Sequence, residues 1–427
     1  MSLRADWAFR GLIHQVTDEA IFEQLDAGKV TAYIGFDPTA PSLHVGNLLQ
    51  ICNLRRLQLA GNRPIALAGG GTGLIGDPSF KAAERPLLTA EALAMNLAGI
   101  SAQLTRLLDC DASAGASRAL LMNNADWLTT VSLTDFLRDV GKHVTINQMV
   151  AKDSVKSRLD REDIGLSFTE FSYMLLQGYD FVRLYQDHDC SLQMGGSDQW
   201  GNITVGVDLV KKMAGGKAYG LTVPLLLRPD GTKFGKSEGG NENVWLDARL
   251  TSPFAFHQFF LTTDDAMVSQ LLRALTFLSH DEILELEAAT TNRPQERRAQ
   301  RALADAVVTW VHGAEETAKA NRAAAALFSE DIALLDEAVL LEIVADAPSS
   351  TLTRASAVAG LDPVELLVTC GLASSKTEAR RFFEQGGVYI NNLRQEENSP
   401  VNVSQALHDR YLVVRRGKRN THLIVLS

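Results

Sequence analysis

"YIGFDPTAPSLHVGN", residues 33–47, is the stretch on which the fold turns. It closes a run rich in β-formers, "KVTAYIGFD" (29–37), that ends at Asp37-Pro38 and so reads as a strand. Its last residues open "NLLQICNLRRLQLAG" (47–61), a helix with Leu48, Cys52 and Leu59 along one line and a stop at Gly61. The same alternation repeats downstream. "RPIALAGG" (63–70) is a second strand, "TAEALAMNLAGISAQLTRLL" (89–108) a second helix, and "RALLMNNADWL" (118–128) a third strand with its exit. Strands alternating with helices imply a parallel sheet covered on both faces. In such a sheet ligands bind beyond the carboxyl ends of the strands, and the free N–H groups of a helix start favour anions. At the quoted turn Gly46 would let a flat group lie against the backbone. His44 can donate to phosphate oxygens, although a lone His near a helix start is more often a cap or a solvated side chain.

The chain has 427 residues, enough for two or three domains. Hydrophobic residues make up 46% and charged residues 22%, as in ordinary globular proteins. No stretch approaches 18 uninterrupted apolar residues, so no membrane partner is expected. The first residues lack an apolar core of signal-peptide length, which makes a cytoplasmic location the default expectation. Cys52, Cys110, Cys190 and Cys370 form no C-x-x-C pair, which fits neither a disulfide framework nor a metal site. Net charge is −10, yet residues 350–427 hold ten Lys/Arg against seven Asp/Glu. A basic tail on an acidic body points to a polyanion partner for the tail.

Three further stretches carry chemistry. "RPDGTKFGKSEGG" (228–240) sets Lys233 and Lys236 three apart among glycines, ahead of Ser237. Like charges repel, so this is either a solvated basic turn or a place where two cations share one anion. "GTGLIG" (71–76) satisfies G-x-G-x-x-G, but Asp77-Pro78 follows at once where a dinucleotide site requires a helix to open, which argues against that reading. In "TEFSYMLLQGYDF" (169–181), Tyr173, Gln177 and Asp180 fall at i, i+4 and i+7 on one helix face. A polar stripe of this kind serves equally as a solvent face or as a pocket wall.

"HVGN" followed far downstream by "KFGKS" resembles the paired signatures of class I aminoacyl-tRNA synthetases. "YIGFDPTAPSLHVGN", "GGGTGLIGDPS", "FSYMLLQGYD" and "QMGGSDQWGN" (193–202) are similar, in particular, to the bacterial tyrosyl-tRNA synthetases. The resemblance spans essentially the whole chain. The tail resembles an RNA-binding domain shared with a small-subunit ribosomal protein. Two departures stand out: Asn47 where many relatives carry histidine, and Ile34 where some carry cysteine.

The resemblance implies an L-tyrosine pocket built from Tyr33, Asp77, Tyr173, Gln177, Asp180, Gln193 and Gln199. Tyr33 and Asp180 would contact the substrate hydroxyl, and Asp77, Tyr173 and Gln177 its ammonium group. It implies ATP contacts from Gly35, Asp37, His44, Gly46, Asn47, Gly196, Asp198, Lys236 and Ser237. Mg²⁺ would accompany ATP on its phosphates, with no protein metal site. Catalytic support would come from His44, Thr39, Lys81, Arg85, Lys233 and Lys236. A carboxylate is already ionised at neutral pH, so tyrosine needs no general base to attack ATP; catalysis would be positioning and charge stabilisation. Activated tyrosine would pass to tRNA(Tyr), with Arg380, Arg381, Arg415, Arg416, Lys418 and Arg419 as phosphate contacts in the tail. The family also implies a homodimer, with its interface in the insertion around 120–165.

The expected architecture is a Rossmann-like, doubly wound α/β catalytic domain over 1–229 with a helical insertion. It is followed by the lysine loop and an α-helical domain (230–325), a linker (326–349) marked by "APSS", and a small α+β RNA-binding domain (350–427).

Overall fold

The computed structural model describes residues 2–77, 88–152, 155–156, 166–232, 234–235, 243–326, 329–345, 347–358, 360–417 and 420–427. They form two compact units, one from 1–252 with 259–311 and one from 253–258 with 312–427.

The first unit is built on a six-stranded sheet: β1 (Gln15–Val16), β2 (Thr31–Phe36), β3 (Arg63–Ala68), β4 (Leu120–Asn123), β5 (Cys190–Gly196) and β6 (Tyr219–Val223), in the order β1-β6-β5-β2-β3-β4. β2 to β6 run parallel and only β1 is antiparallel. β6 is buried along its whole length and β3 is buried after its first residue, as expected where helices cover both faces. The strand order reverses at β2, which pairs with β3 on one side and β5 on the other, so the crevice beyond β2 and β5 is the topological switch point. The turn after β3 is a single 3₁₀ turn at Thr72–Leu74 rather than the opening of an α-helix, which removes the dinucleotide reading of "GTGLIG".

His44 caps the Val45–Leu59 helix, and Gly61, at φ +84°, follows its end. Leu48 and Cys52 are buried as the line along that helix implies, but Leu59 at its end is 61% exposed. The Phe168–His188 helix runs 21 residues from its Ser167 cap. It packs Phe181 and Leu184 into a core shared with Tyr33, Ile65 and Leu67. The run from 250 to 325 is helical, as its pattern predicts, with helices at Pro253–Leu261, Asp265–Leu275, His280–Asn292, Arg298–His312 and Ala314–Ala326.

In the second unit a five-stranded sheet has the order β7-β11-β10-β8-β9: β7 (Ser349–Leu352), β8 (Val388–Ile390), β9 (Leu393–Arg394), β10 (Tyr411–Arg416) and β11 (Asn420–Leu426). Helices Pro363–Thr369 and Lys376–Glu384 pack on one face against Leu412, Val414, Ile424 and Leu426. Of the stretch read as a linker, residues 329–345 are folded onto the other face. Ile332, Leu340 and Val344 join Tyr411, Val413 and Leu423 in a second apolar cluster, and "APSS" runs into β7, paired parallel with β11. The physical reason lies in the alternation of β10 and β11. It is apolar on both faces, so both need a cover, and 329–345 supplies the second.

Candidate functional site

A cavity of about 440 Å³ opens at the carboxyl ends of β2, β3 and β5, and it gathers the predicted residues from all of these elements. Tyr33, Gly35, Asp37, Thr39, His44, Gly46 and Asn47 line it from β2 and the turn after it. Asp77 lines it beyond the turn that follows β3, and Tyr173, Gln177 and Asp180 line it from one helix face. Gln193, Gly196, Asp198 and Gln199 complete the wall from β5. Lys81, Arg85, Lys233, Lys236 and Ser237 lie outside the described residues.

At the closed end Asp180 is 2% exposed. Its carboxylate accepts from the Trp127 indole N–H (2.7 Å) and from Asn124 Nδ2 (2.9 Å). Asn124 is itself fixed: it donates to Thr72 Oγ1 (3.0 Å) and accepts from the Gly71 N–H (2.8 Å). Burial lifts the Asp180 carboxyl to about 7, partly offset by these two donors, with the Asp37 carboxylate pushing the same way as burial. Beside it the buried Tyr33 hydroxyl has no hydrogen-bond partner among the described residues, and neither has the buried Oε1 of Gln193, which pairs with Tyr33 in the sheet register. Burial, and then the neighbouring Asp180, hold the Tyr33 hydroxyl well above its ordinary pKa, so it stays a donor. An acid and a phenol, both desolvated, therefore share one end of the cavity.

A second polar group lies further along the wall. Tyr173 donates to Asp37 Oδ2 (2.9 Å), and Thr72 donates to Asp37 Oδ1 (2.8 Å). Gln199 Nε2 donates to Asp77 Oδ2 (2.8 Å). Asn202 donates to Gln177 Oε1 (2.9 Å) and Gln199 Oε1 (3.3 Å). Two carboxylates tied to amides and a phenol make a patch suited to a cation.

The outer end is the helix start. His44 Nδ1 accepts from the Gly46 N–H (3.0 Å), and the His44 N–H donates to Asn47 Oδ1 (3.1 Å). This reciprocal cap fixes the chemistry of both side chains. With Nδ1 accepting, the proton of the neutral imidazole sits on Nε2. With Oδ1 accepting, Asn47 keeps its NH₂ as a donor. The ring folds back so closely that a Cβ on Gly46 would lie 2.7 Å from His44 Cε1, which is why glycine stands there. Gly235, at φ +113°, touches the same place: its Cβ would lie 2.8 Å from Gly46 N. Val45 N–H donates to Val244 O (2.9 Å), and Leu246 N–H to Leu43 O (2.8 Å). The two signatures, remote in sequence, thus meet backbone to backbone. Phe234, between the two lysines, packs on Phe259 with ring centroids 5.1 Å apart.

Asn124, Trp127, Thr72 and Asn202 hold predicted residues in place and were not picked out from the sequence. Gln50, whose Oε1 is buried in the cavity wall without a partner among the described residues, was missed as well. The one available signal was position: Asn124 directly follows β4, at the same sheet edge as the other ligands.

The predicted RNA contacts lie in the second unit. Arg380 and Arg381 are exposed on the Lys376–Glu384 helix, Arg380 beside Glu397 (3.2 Å). Arg381 and Arg416 both lie over the Phe382 ring, at 5.7 and 4.8 Å from its centroid. Arg415 is 8% exposed and stacked on Tyr389, so its guanidinium packs within the domain. Lys418 and Arg419 lie outside the described residues.

Comparison with known proteins gives two family matches: tRNA synthetases class I (W and Y) over residues 25–329, and the tyrosine–tRNA ligase SYY-like C-terminal domain over 340–424. The tyrosine–tRNA ligase of Roseiflexus castenholzii is 51% identical over 423 residues, 98% of each chain. That of Opitutus terrae is 48% identical, over 100% of this chain and 99% of the other. Among solved structures, a C-terminally truncated mitochondrial tyrosyl-tRNA synthetase of Aspergillus nidulans superposes with a TM-score of 0.67 at 33% identity, covering 77% of this chain and 94% of that one.

Proposed function

The chain belongs to the class I tRNA synthetases of the tyrosine and tryptophan group and is a ligase that joins tyrosine to tRNA, and on that premise we propose how its residues share the work. In the first step a tyrosine carboxylate oxygen attacks the α-phosphorus of ATP. The bond to the bridging oxygen breaks, pyrophosphate leaves, and tyrosyl-adenylate remains. In the second a hydroxyl of the 3′-terminal ribose of tRNA attacks the adenylate carbonyl and AMP leaves.

The observation that carries the assignment of residues is the set of desolvated groups around Asp180. The substrate phenol donates to the Asp180 carboxylate and accepts from the Tyr33 hydroxyl, which gives that buried hydroxyl its partner. Phenylalanine would leave the Tyr33 hydroxyl without a partner, at a cost of roughly 1–3 kcal/mol, and would deny the Asp180 carboxylate a third donor beside Trp127 and Asn124. Tyrosine-specific synthetases are themselves the standing example of this rule of discrimination. Asp77, Tyr173 and Gln177 hold the substrate ammonium, with Gln193 and Gln199 along its edge, and this orients the carboxylate toward ATP.

Gly35 offers the nucleotide an open approach, because a Cβ there would meet nothing within 4 Å. Asp198 takes a ribose hydroxyl beside Gly196, where a Cβ would collide with Asp198 and Leu225. His44 Nε2–H, Asn47 NH₂ and Thr39 donate to the phosphates at the helix start. To Lys81, Arg85, Lys233 and Lys236 we assign the positive charge that meets the departing pyrophosphate, and to Ser237 a contact with ATP. Mg²⁺ would accompany ATP on its phosphates, where it would supply positive charge.

The second unit binds tRNA through Arg380, Arg381 and Arg416. We assign the apolar surface of the insertion, with Phe168 just beyond it, to a second copy of the chain, because Leu133, Leu137, Ile146 and Phe168 are each at least half exposed. The free cysteines suit the reducing cytoplasm. Amino-acid-dependent ATP–pyrophosphate exchange tests the pocket. Exchange with tyrosine and almost none with phenylalanine or tryptophan is expected; equal exchange with phenylalanine would overturn the role of Tyr33 and Asp180.

A further inference from the structure

The second unit contains a fastening that tyrosine activation does not use. Asn391 and Asn392 both adopt positive φ (49° and 63°) and form the two-residue turn between β8 and β9. Asn391 serves the sheet: its Oδ1 accepts from Val413 N–H (2.8 Å) and its Nδ2 donates to Gln405 O. Asn392 reaches outward. Its Nδ2 donates to Ala326 O (3.0 Å) and to Ser329 O (2.8 Å). Ala326 ends the Ala314–Ala326 helix, so one amide caps a helix carbonyl and the start of the following segment together.

The rest of that segment is tied to the same sheet. His408 Nε2 lies 2.8 Å from Leu335 O, and the Tyr411 hydroxyl donates to Glu337 Oε1 (2.7 Å). Ile332, Leu340 and Val344 are buried against Tyr411, Val413 and Leu423. As a flexible tether, about 20 residues of this kind would let its ends wander by about 25 Å. Folded as a strap it allows the sheet no such freedom relative to the helix end, and tRNA pays no ordering entropy for it on binding.

We infer that Asn392 is a positioning residue for tRNA: by pinning the β8–β9 turn to the end of the Ala314–Ala326 helix, it holds the RNA-binding sheet and its strap in one orientation. The inference rests on the reading of the second unit as the tRNA-binding module.

Asn392→Gly tests it in the full-length enzyme, since glycine keeps the turn conformation and deletes only the side-chain amide. Tyrosine-dependent pyrophosphate exchange should equal that of the unaltered enzyme. In aminoacylation KM for tRNA should rise about tenfold with kcat held. Cleavage by a glutamate-specific protease after Glu330, Glu337 or Glu342 should quicken by a similar factor, further in Asn392→Gly/Tyr411→Phe. Unchanged cleavage in both variants would overturn the fastening, and faster cleavage with an unchanged KM would overturn the positioning role. Arg380→Ala/Arg381→Ala separates this from the underlying reading. If that pair weakens tRNA and Asn392→Gly does not, the inference alone fails; if the arginine pair has no effect, the tRNA reading of this face fails.

Discussion

In the proposed pocket one carboxyl, that of Asp180, serves both specificity and pH response. Its carboxyl is raised to about 7, against about 3.9 for an unfolded aspartate. Between those values the native state binds more protons than the unfolded state, so this group makes stability fall as pH rises from about 4 to about 7, with no further change above. Substrate affinity runs the other way, because the ionised form is the better acceptor for the tyrosine hydroxyl. Tyrosine affinity, followed by calorimetry, should therefore rise through pH 7, and Asp180→Asn should flatten that profile while weakening tyrosine. Trp127→Phe removes one of the two donors that favour the ionised form, and it should move the midpoint of the profile to higher pH. A midpoint unmoved by Trp127→Phe would show that the indole does not tune the acid. Tyr33 and Asp180 could be singled out from the sequence because the resemblance assigns them roles. Asn124 and Trp127 could not, since nothing local tells a carboxyl's support from ordinary strand-exit residues.

At the level of elements, the junction between the Val45–Leu59 helix start and the segment after Phe234 decides the anion end of the cavity. His44→Ala removes a helix cap, worth about 1 kcal/mol, together with the proposed phosphate donor. The expected result is a Tm lower by a few degrees and a fall in kcat for pyrophosphate exchange much larger than the change in KM for tyrosine. Gly235→Ala sets a Cβ against Gly46 N at a left-handed φ. Stability should drop by about 1–3 kcal/mol in a urea titration, and KM for ATP should rise while tyrosine binding is kept. Tyrosine binding lost in parallel would mean that the strain spreads past the helix start. The strand–turn–helix order around this junction could be read from hydrophobic period and breakers alone. The pairing of 43–45 with 244–246 could not, because a contact between segments so far apart leaves no local pattern.

On the scale of the whole molecule, Leu133, Leu137, Ile146 and Phe168 present apolar surface that a lone chain would leave in water. If this surface seats the proposed second copy, Phe168→Asp should shift the protein toward monomer in analytical ultracentrifugation; an unchanged mass would overturn that assignment. Among the described residues no helix is long and apolar enough to cross a membrane. The segment 326–349 marks the limit of reading along the chain. Its "APSS" and polar flanks suggest a tether, but the fold uses Ile332, Leu340 and Val344 to cover a sheet face formed by strands some seventy residues later. Taken alone, the sequence was sufficient for the alternating α/β order, the helical run, the basic tail and the residue types of both signatures, since period, breakers and charge are local properties. The tertiary structure alone decided which residues share a cavity, that burial lifts Asp180 toward neutrality, and that the apparent linker is a packed layer. Those outcomes depend on desolvation and on contacts between distant segments, which no stretch of sequence carries by itself.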